Sequence, residues 1–495
     1  MKRNKFSLSN DKLATFSMGE LVPVGLMEVL PGDTIQQATS ALVRVSPLNA
    51  PIMHPVHIKI HHWFVPHRLV WTNWEKFITG GPDGNDTHSI PTITPNTGTG
   101  YAVGSLADYL GLPTGVDDQP HSALPFRGYS LIWNEWYRDQ DLQTALTVST
   151  ADGPDMTTNI TLQNVCWEKD YFTSSRPWTQ KGSEVTLPLG TSAPVVGTTS
   201  NASPVYTTTG GGTHTIVSNA AGSTAIRLDA NAAANSNLIW QDPKLKADLT
   251  TATAASVNTI REAFALQRYK EARARYGSRY TEYLRYLGVK SSDARLQRPE
   301  YLGGGKQTLQ FSEVVQTATD SLSAVGVGAL RGHGIGALRS NRYRRFFEEH
   351  GYVFTFMYVL PKTIYGNGLQ RHWSRTSKED FWQKELEHIG QQEVLNKELY
   401  WGDSGPNDVF GYQDRYDEYR RQESSISGEF RNSTANFWHY ARIFGSDVTL
   451  NSAFVKSDPT TRTYQSTSTD NLYVMVHHSI QARRMLSKFA NPITY

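Results

Sequence analysis

The sequence predicts a mainly β protein, an antiparallel sandwich of the Greek-key or jelly-roll type whose connecting loops are long. The first observation is the run 56–65, in which side chains alternate between two faces as they do in a half-buried strand. The second is that further strand-like runs lie far apart along the chain, which requires long crossing connections. The third is that helical segments are too few and too irregular for repeated βαβ units.

Five segments have the composition and the periodicity of strands. In chain order they are 20–29, 57–65, 309–316, 352–360 and 472–480. The run 352–360 is apolar or aromatic on nearly both faces, which is typical of a central strand that is buried on both sides. The glycine-rich runs 303–305 and 326–336 miss the spacing of nucleotide-binding loops, and we interpret them as loops that cross close to other backbone.

Three segments predict helices. A stripe of apolar residues predicts the longest helix over 254–276. A second helix is predicted over 378–389, where Ser377 and Asp380 have the spacing of a capping box. A shorter helix is predicted over 129–139.

The composition limits the size and the environment of the protein. A length of 495 residues exceeds the roughly 250–300 at which single cores stop growing, so the chain forms either two domains or one domain with large insertions, and we predict the second, over 1–495. Cys166 is the only cysteine, which excludes a disulfide within the chain and agrees with folding in a reducing cytoplasm. We expect no signal peptide, because the N-terminal residues lack an apolar run. The formal net charge of +2 excludes a protein whose main task is to condense nucleic acid.

Several long strings of the sequence resemble one family. They are the aromatic-rich segment 31–81, FMYVLPKTIYGNG from Phe356, ELEHIGQQEVLNKELYWG from Glu385 and GYQDRYDEYR from Gly411. In this order they resemble the major capsid protein of the Microviridae, the small single-stranded DNA phages, and most nearly the F-type capsid protein of the gokushovirus branch. Strings of this length are far more specific than a short catalytic pattern.

The resemblance implies an eight-stranded antiparallel viral jelly roll with long inserted loops and a few helices, and a role in assembly without enzymatic activity. Many copies are expected to close a T = 1 icosahedral shell around a circular single-stranded DNA genome. The expected partners are other copies of the chain, the genome, a small basic DNA-packaging protein, minor pilot- or spike-type virion proteins and a receptor on the host-cell surface. The protein is expected in the virion, made and assembled in the cytoplasm of a bacterial host, with no cofactor and no metal. Because the net charge is only +2, most of the charge that neutralises the genome must come from the basic partner.

The segment 191–235 departs from this resemblance. Ser, Thr, Ala, Gly and Asn fill 32 of its 45 positions, so it buries little apolar surface. Two interpretations are open: a flexible surface loop or, as the resemblance implies, a variable insertion that projects at the three-fold axes of the shell. In the second case its β-prone pieces 195–196, 205–206 and 215–217 pair where three copies meet.

Nine basic residues are candidates for contact with single-stranded DNA, because positive side chains and aromatic rings together hold unpaired nucleotides. They form three clusters: Lys2, Arg3 and Lys5; Arg342, Arg344 and Arg345; and Arg483, Arg484 and Lys488. The alternative is ion pairing, since Glu348 and Glu349 follow the middle cluster after two phenylalanines.

Ten residues are candidates for contacts between subunits, because aromatic and arginine side chains usually carry the binding energy of interfaces. They are Trp71, Trp74, Phe77, Trp438 and Tyr440, and in the segment from Gly411, Tyr412, Arg415, Tyr416, Tyr419 and Arg420. The alternative for the first five is packing inside the chain. For the others we expect exposure.

The sequence also suggests two other kinds of site, a zinc site formed by histidines and a carbohydrate-binding or hydrolytic site. His57 and His61 lie about 13 Å apart on a strand, too far for one zinc ion, whereas a helix would bring them to about 6 Å. A carbohydrate-binding or hydrolytic β-sandwich is the alternative function, because jelly rolls also serve lectins. A hydrolase would need two carboxylates about 5–9 Å apart in a cleft. Its candidate acids are two pairs, Asp117 with Asp118 and Asp414 with Asp417.

Overall fold

The computed structural model describes residues 3–95, 97–186, 195–197, 205–208, 213–218, 226–228, 238–242, 245–247, 257–276, 280–288, 298–315, 328 and 330–488. The chain divides into two compact units. The first consists of Met1–Thr179 and Arg273–Tyr495, and the second of Gln180–Ala272.

Strands are the main regular secondary structure of the described residues. They are β1 (Asn4–Ser7), β2 (Asn10–Phe16), β3 (Val22–Val29), β4 (Thr34–Val45), β5 (Val56–Pro66), β6 (Thr92–Ile93), β7 (His121–Ser122), β8 (Val195–Gly197), β9 (Val205–Thr208), β10 (Thr213–Ser218), β11 (Ile226–Leu228), β12 (Leu238–Asp242), β13 (Leu245–Ala247), β14 (Glu300–Val315), β15 (Leu330–Arg339), β16 (Tyr343–Phe346), β17 (Gly351–Pro361), β18 (Gln391–Leu395), β19 (Val409–Asp414) and β20 (Leu472–Arg484).

The helices are short, with one exception. They are α1 (His67–Val70), α2 (Trp74–Thr79), α3 (Leu106–Leu110), α4 (Leu124–Ile132), α5 (Val257–Tyr276), α6 (Tyr280–Tyr286), α7 (Asn396–Leu399) and α8 (Ser452–Val455). A π-helical turn, Trp133–Tyr137, follows α4 directly.

The first unit is built on a curled antiparallel sheet, which has ten strands in the described residues. Its order is β1-β20-β4-β15-β14-β5-β17-β3, while β2 also pairs with β20 and β16 with β4. The long strand β14 turns the corner, because residues 300–309 pair with β5 and residues 310–315 with β15. We call β1, β2, β20, β4, β16 and β15 the first sheet, and β5, β17, β3 and the start of β14 the second sheet.

The core lies between these two sheets. In β20 the alternate residues Leu472, Val474 and Val476 are buried, as the period of a strand requires. They belong to the same apolar cluster as Ile58 of β5 and Val359 of β17. The two sheets therefore face each other as in a jelly-roll sandwich.

The second sheet is also covered on its outer face. Trp63 of β5 and Phe354 of β17 pack there with residues of α1, α3 and α4. At Gly128 of α4 a Cβ would lie 2.7 Å from Cζ of Phe354, so the helix approaches the sheet closely. The prediction that 352–360 is a central strand buried on both sides is confirmed.

A buried polar network crosses the sandwich. The two ring nitrogens of His62 lie 3.0 Å from the hydroxyl of Thr355 and 3.1 Å from that of Ser340. Nδ1 of His478 lies 2.9 Å from the hydroxyl of Thr39. Burial lowers the pKa of His62 to about 3, so its imidazole is uncharged at neutral pH.

The predicted fold class is confirmed: the protein is mainly β, antiparallel and of the jelly-roll type, with few helices. The predicted number of strands is not confirmed, because the curled sheet has ten described strands and eight were predicted. The N-terminal edge consists of two strands, β1 and β2, which pair with successive parts of β20, and β16 is an additional short strand. All five predicted strands are present, as β3, β5, β14, β17 and β20.

The first glycine-rich run and residues 330–336 of the second are strands and not loops, whereas most of 326–329 lies outside the described residues. Residues 303–305 belong to β14, and the second run enters β15. A Cβ at Gly332 would lie 2.1 Å from the carbonyl oxygen of Ala50, and one at Gly334 would lie 2.6 Å from Cγ2 of Val45. Glycine is therefore used here for close packing within a sheet.

The helix predicted over 378–389 is wrong. The segment contains two short 3₁₀ turns, Lys378–Asp380 and Lys384–Leu386. Phe381 and Trp382 stay exposed, so no apolar stripe is buried that would stabilise a longer helix. The other two predicted helices are present, as α5 and as α4 with the π-helical turn.

The second unit has its own sheets. The strands β11, β10, β9 and β12 pair antiparallel in this order, and β13 pairs with β8. The three β-prone pieces of 191–235 lie in β8, β9 and β10. Val195 pairs with Ala247, and Tyr206 pairs with His214. A single copy of the chain therefore supplies partners for these strands.

Candidate nucleic-acid and subunit interfaces

Strand pairing brings the three basic clusters of the sequence to one surface. Lys5 of β1 lies opposite Arg483 of β20. On the other side of Arg483 lies Thr34 of β4, which in turn lies opposite Phe346 of β16. Directly paired residues project from the same face, so these four form one row on the outer face of the first sheet. Arg344, two residues before Phe346, points to the same face.

Arg3 completes this arrangement. Its guanidinium carbon lies 4.9 Å from the centroid of the Phe346 ring, a cation–π distance. The ring itself is 44% exposed. We call Arg3, Lys5, Arg344, Phe346 and Arg483 the basic surface. Exposed cations around an accessible aromatic ring are what single-stranded DNA binding requires.

Two predicted basic residues form ion pairs instead. Nε of Arg484 lies 3.0 Å from Oδ2 of the buried Asp33. Nη2 of Arg345 lies 2.9 Å from Oε1 of Glu300. Both residues alternate with members of the basic surface along their strands, so they project from the opposite face. The ion-pair alternative describes these two arginines, although the partners are not those that the sequence suggested.

The outer face of the first sheet carries further cations. Arg44 of β4 lies opposite Tyr473 of β20, and Arg339 projects from the same face of β15. Arg44 was missed because it stands alone in its segment, although the alternation within β4 marks it as exposed. The predicted residues Arg342 and Lys488 are exposed outside the strands, and Lys2 lies outside the described residues.

The predicted interface residue Trp71 is part of the interior. Its side chain is fully buried, and Nε1 donates a hydrogen bond to Oδ1 of Asp152 at 2.5 Å. The rings of Trp74 and Phe77, both half-buried, lie 5.8 and 4.8 Å from that of Trp71. Packing inside the chain therefore explains Trp71.

Tyr416 and Tyr440 are buried as well. The hydroxyl of Tyr440 donates to that of Tyr464 at 3.0 Å. The hydroxyl of Tyr416 donates to the carbonyl oxygen of Phe381 at 3.1 Å. The expectation that Tyr416 is exposed is wrong, because its hydroxyl holds a neighbouring loop.

The remaining interface candidates differ in accessibility. Tyr412, Arg415 and Trp438 are half-buried, whereas Tyr419 and Arg420 are exposed. The guanidinium carbon of Arg415 lies 5.2 Å from the ring centroid of Tyr416.

Other exposed aromatic residues lie in the region of Tyr419: Trp373 lines the same cavity, and Trp382 follows Phe381 in the chain. The guanidinium carbon of Arg375 lies 4.4 Å from the ring centroid of Tyr419 and 5.4 Å from that of Phe381. Trp373 and Trp382 are 73% and 51% exposed. We call Trp373, Phe381, Trp382 and Tyr419 the aromatic surface. Trp373, Phe381 and Trp382 were missed, the last two because 378–389 was interpreted as a helix. The signal that could have identified them is a set of large aromatic residues without helical periodicity.

The acids of the alternative function have partners within the chain. Each accepts a hydrogen bond or lies in an ion pair: Asp117 with Gly98, Asp118 with Thr97, Asp414 with Arg275, and Asp417 with Arg421. These contacts hold turns and connect neighbouring segments, so no observation favours a hydrolytic pair.

In the part of the chain that the structure describes, no three His, Cys, Asp or Glu side chains converge as a metal site would need. The helices described here are all too short or too polar to span a bilayer.

Comparison with known proteins gives a consistent result over nearly the whole chain. Residues 1–494 match a family model described as capsid protein (F protein). The capsid protein VP1 of Bdellovibrio phage phiMH2K is 39% identical over 481 residues, which cover 92% of this chain and 88% of that protein. The VP1 proteins of Chlamydia phage 1 and Spiroplasma virus 4 are 34% and 32% identical, each over 92% of this chain and over 90% and 88% of their own length.

Proposed function

The chain belongs to the F-type capsid protein family of the Microviridae as a major capsid protein, and from this premise we propose how its surfaces build the shell. Its copies form a T = 1 icosahedral shell that encloses a circular single-stranded DNA genome. The role is structural, without a catalytic step. The protein is a component of the virion, and assembly takes place in the cytoplasm of the bacterial host.

The basic surface is the part that contacts the genome. The observation that carries this proposal is the row of paired residues that contains Lys5, Arg483 and Phe346. Three clusters far apart in the sequence meet in it, on a sheet face whose alternate residues in β20 remain exposed. A net charge of +2 leaves most of the neutralisation to a small basic DNA-packaging protein.

The aromatic surface lies between neighbouring copies of the chain. Large aromatic side chains that are half or more exposed in a single copy supply apolar area for an interface. Arg375 and Arg420 beside them add the polar contacts that interfaces of this kind use. Pilot- or spike-type virion proteins and a host-cell receptor complete the partners that we propose.

The test of genome contact is packaging by particles with reversed charge. The variants Lys5→Glu and Arg483→Glu are expressed together with the phage partners, and particles are purified by sedimentation. We expect closed shells that contain several-fold less DNA, because each reversal places a carboxylate where a phosphate is bound. The control Lys362→Glu changes an exposed lysine at the end of β17 and is expected to package normally. Full DNA content in both basic-surface variants would refute the assignment.

A further inference from the structure

A cavity of about 670 Å³ lies on the outer face of the second sheet, beside β14. Its walls come from β5, β14, β17 and the π-helical turn that follows α4. Seven of its seventeen lining residues carry aromatic rings: His61, Trp63, Trp136, Tyr137, Trp167, Tyr301 and Tyr358. Its volume is in the range of pockets that hold small ligands, which is about 300–1,000 Å³.

Hydrogen bonds and stacking fix the rings of this cavity. The ring of Trp63 lies 4.7 Å from that of Trp136 and 4.9 Å from that of Tyr301. The hydroxyl of Tyr137 accepts a hydrogen bond from Nε1 of Trp63 at 3.0 Å and lies 2.8 Å from Nδ1 of His61. Burial lowers the pKa of His61 to about 4, so the inner wall is uncharged at neutral pH. Tyr301 is 43% exposed, which makes its ring the accessible one.

Positive charge surrounds these rings. The cavity is lined by five basic and two acidic side chains. Glu168 pairs with Lys59, and Nζ of Lys306 lies 3.5 Å from the same carboxylate. The guanidinium carbon of Arg298 lies 4.3 Å from the ring centroid of Trp136. A ligand that matches both features is flat and aromatic and carries a negative charge.

An ion pair connects β14, which contributes to the cavity, with β16, which contributes to the basic surface. Tyr301 is preceded by Glu300, which forms the ion pair with Arg345 of β16. The residue after Arg345 is Phe346 of the basic surface. Tyr301 lies opposite Trp63 on the outer face of the second sheet, whereas Phe346 lies on the outer face of the first, so the cavity is a site separate from the basic surface.

We propose that this cavity binds one unstacked nucleotide of single-stranded DNA, with its base against the ring of Tyr301 and its phosphate near Lys59, Lys306 and Arg298. Aromatic platforms beside cations are the usual means of holding unpaired bases. The surplus of positive charge disfavours a cationic ligand. The inference rests on the proposed contact with single-stranded DNA and adds a site for the base itself.

The first test distinguishes binding of the base from binding of the phosphate. The full-length chain is titrated with a fluorescent oligothymidine and with an abasic strand of equal length and charge, at constant salt. Tyr301→Ala should weaken oligothymidine binding about 5- to 150-fold, as the loss of one base stack does, and leave the abasic strand nearly unaffected. Tyr301→Phe keeps the ring and should bind as the unchanged protein does. Equal affinity of all three proteins for oligothymidine overturns the inference.

The second test needs no variant. Particles that contain 5-bromouracil in their DNA are irradiated, and the crosslinked peptides are identified by mass spectrometry. Crosslinks to the peptides with Tyr301 or Trp136 support the cavity, whereas crosslinks confined to other segments, or a peptide ligand in the cavity, overturn it. If Tyr301→Ala does not fold, this measurement decides alone. Failure of the cavity is distinguishable from failure of the proposed function, which would also abolish the effect of Lys5→Glu and Arg483→Glu on packaging.

Discussion

Salt dependence gives the most direct test of the basic surface. Replacement of Lys5 and Arg483 by glutamine removes two of its four cations without adding a negative charge. Each cation that neutralises a phosphate of a single strand contributes about −0.7 to the slope of log K against log salt. If all four cations bind phosphates, the unchanged protein has a slope of about −2.8 from this surface, and the double variant has about −1.4.

These slopes translate into measurable affinities. Between 50 and 200 mM salt, the unchanged protein should lose about 50-fold in affinity for an oligothymidine and the double variant about 7-fold. The assay is fluorescence anisotropy of a labelled oligonucleotide at five or more salt concentrations with unassembled protein. The matched control is Lys362→Gln, whose slope should equal that of the unchanged protein. An identical slope for the double variant would refute the reasoning, whatever its affinity at one salt concentration.

Three further variants test the interior and the aromatic surface. Gly128→Ala should lower the free energy of unfolding by about 1–2 kcal/mol, because the added methyl group overpacks the ring of Phe354. This cost exceeds the gain from the better helix propensity of alanine. The control Gly445→Ala, where a Cβ meets nothing within 4 Å, should leave thermal unfolding unchanged. The pKa of His62 is about 3 when folded and about 6.5 when unfolded, so the unfolded chain binds one more proton between these values and stability falls as the pH is lowered through this range. His62→Gln should therefore reduce the pH dependence of urea unfolding between pH 6 and 4 by about 1.4 kcal/mol per pH unit, and an unchanged dependence contradicts the assignment. Trp382→Ser should leave the monomer as stable as before but prevent closed shells in sedimentation, whereas Met156→Ser, at an exposed site outside the aromatic surface, should assemble.

The strands that the sequence predicts are those with clear alternation or continuous apolar character. β15 was missed because its interior positions are glycines, which strand propensity disfavours. The reason for glycine at 332 and 334 is the proximity of Ala50 and Val45, and those contacts depend on sheet curvature that a single segment does not encode. β4 was missed because its face toward the core carries Gln37 and Thr39 of the polar network, which weakens the apolar pattern.

For the basic residues, too, the sequence alone predicts only part of the arrangement. Each cluster was recognised as a run of neighbours along the chain, whereas a strand sends neighbours to opposite faces. Alternation alone therefore separates Arg344 from Arg345 and Arg483 from Arg484. That the clusters meet depends on the pairing of β1 and β4 with β20, a register between segments hundreds of residues apart. No local pattern specifies such a register.

If the basic surface contacts the genome as proposed, the two faces of the sandwich explain how a nearly neutral chain positions it. Helices cover the outer face of the second sheet, and the first sheet presents its cations in rows set by strand pairing. Because neighbouring strands are about 4.8 Å apart, Lys5 and Arg483 lie about 5 Å from each other on a rigid support. The sheet orders the backbone before binding, so only the side chains pay an ordering cost, and a few cations can fix the path of a strand even though they neutralise little of its charge. In the proposed function, the capsid chain thus determines where the DNA lies, and the proposed basic partner supplies the charge that compaction needs.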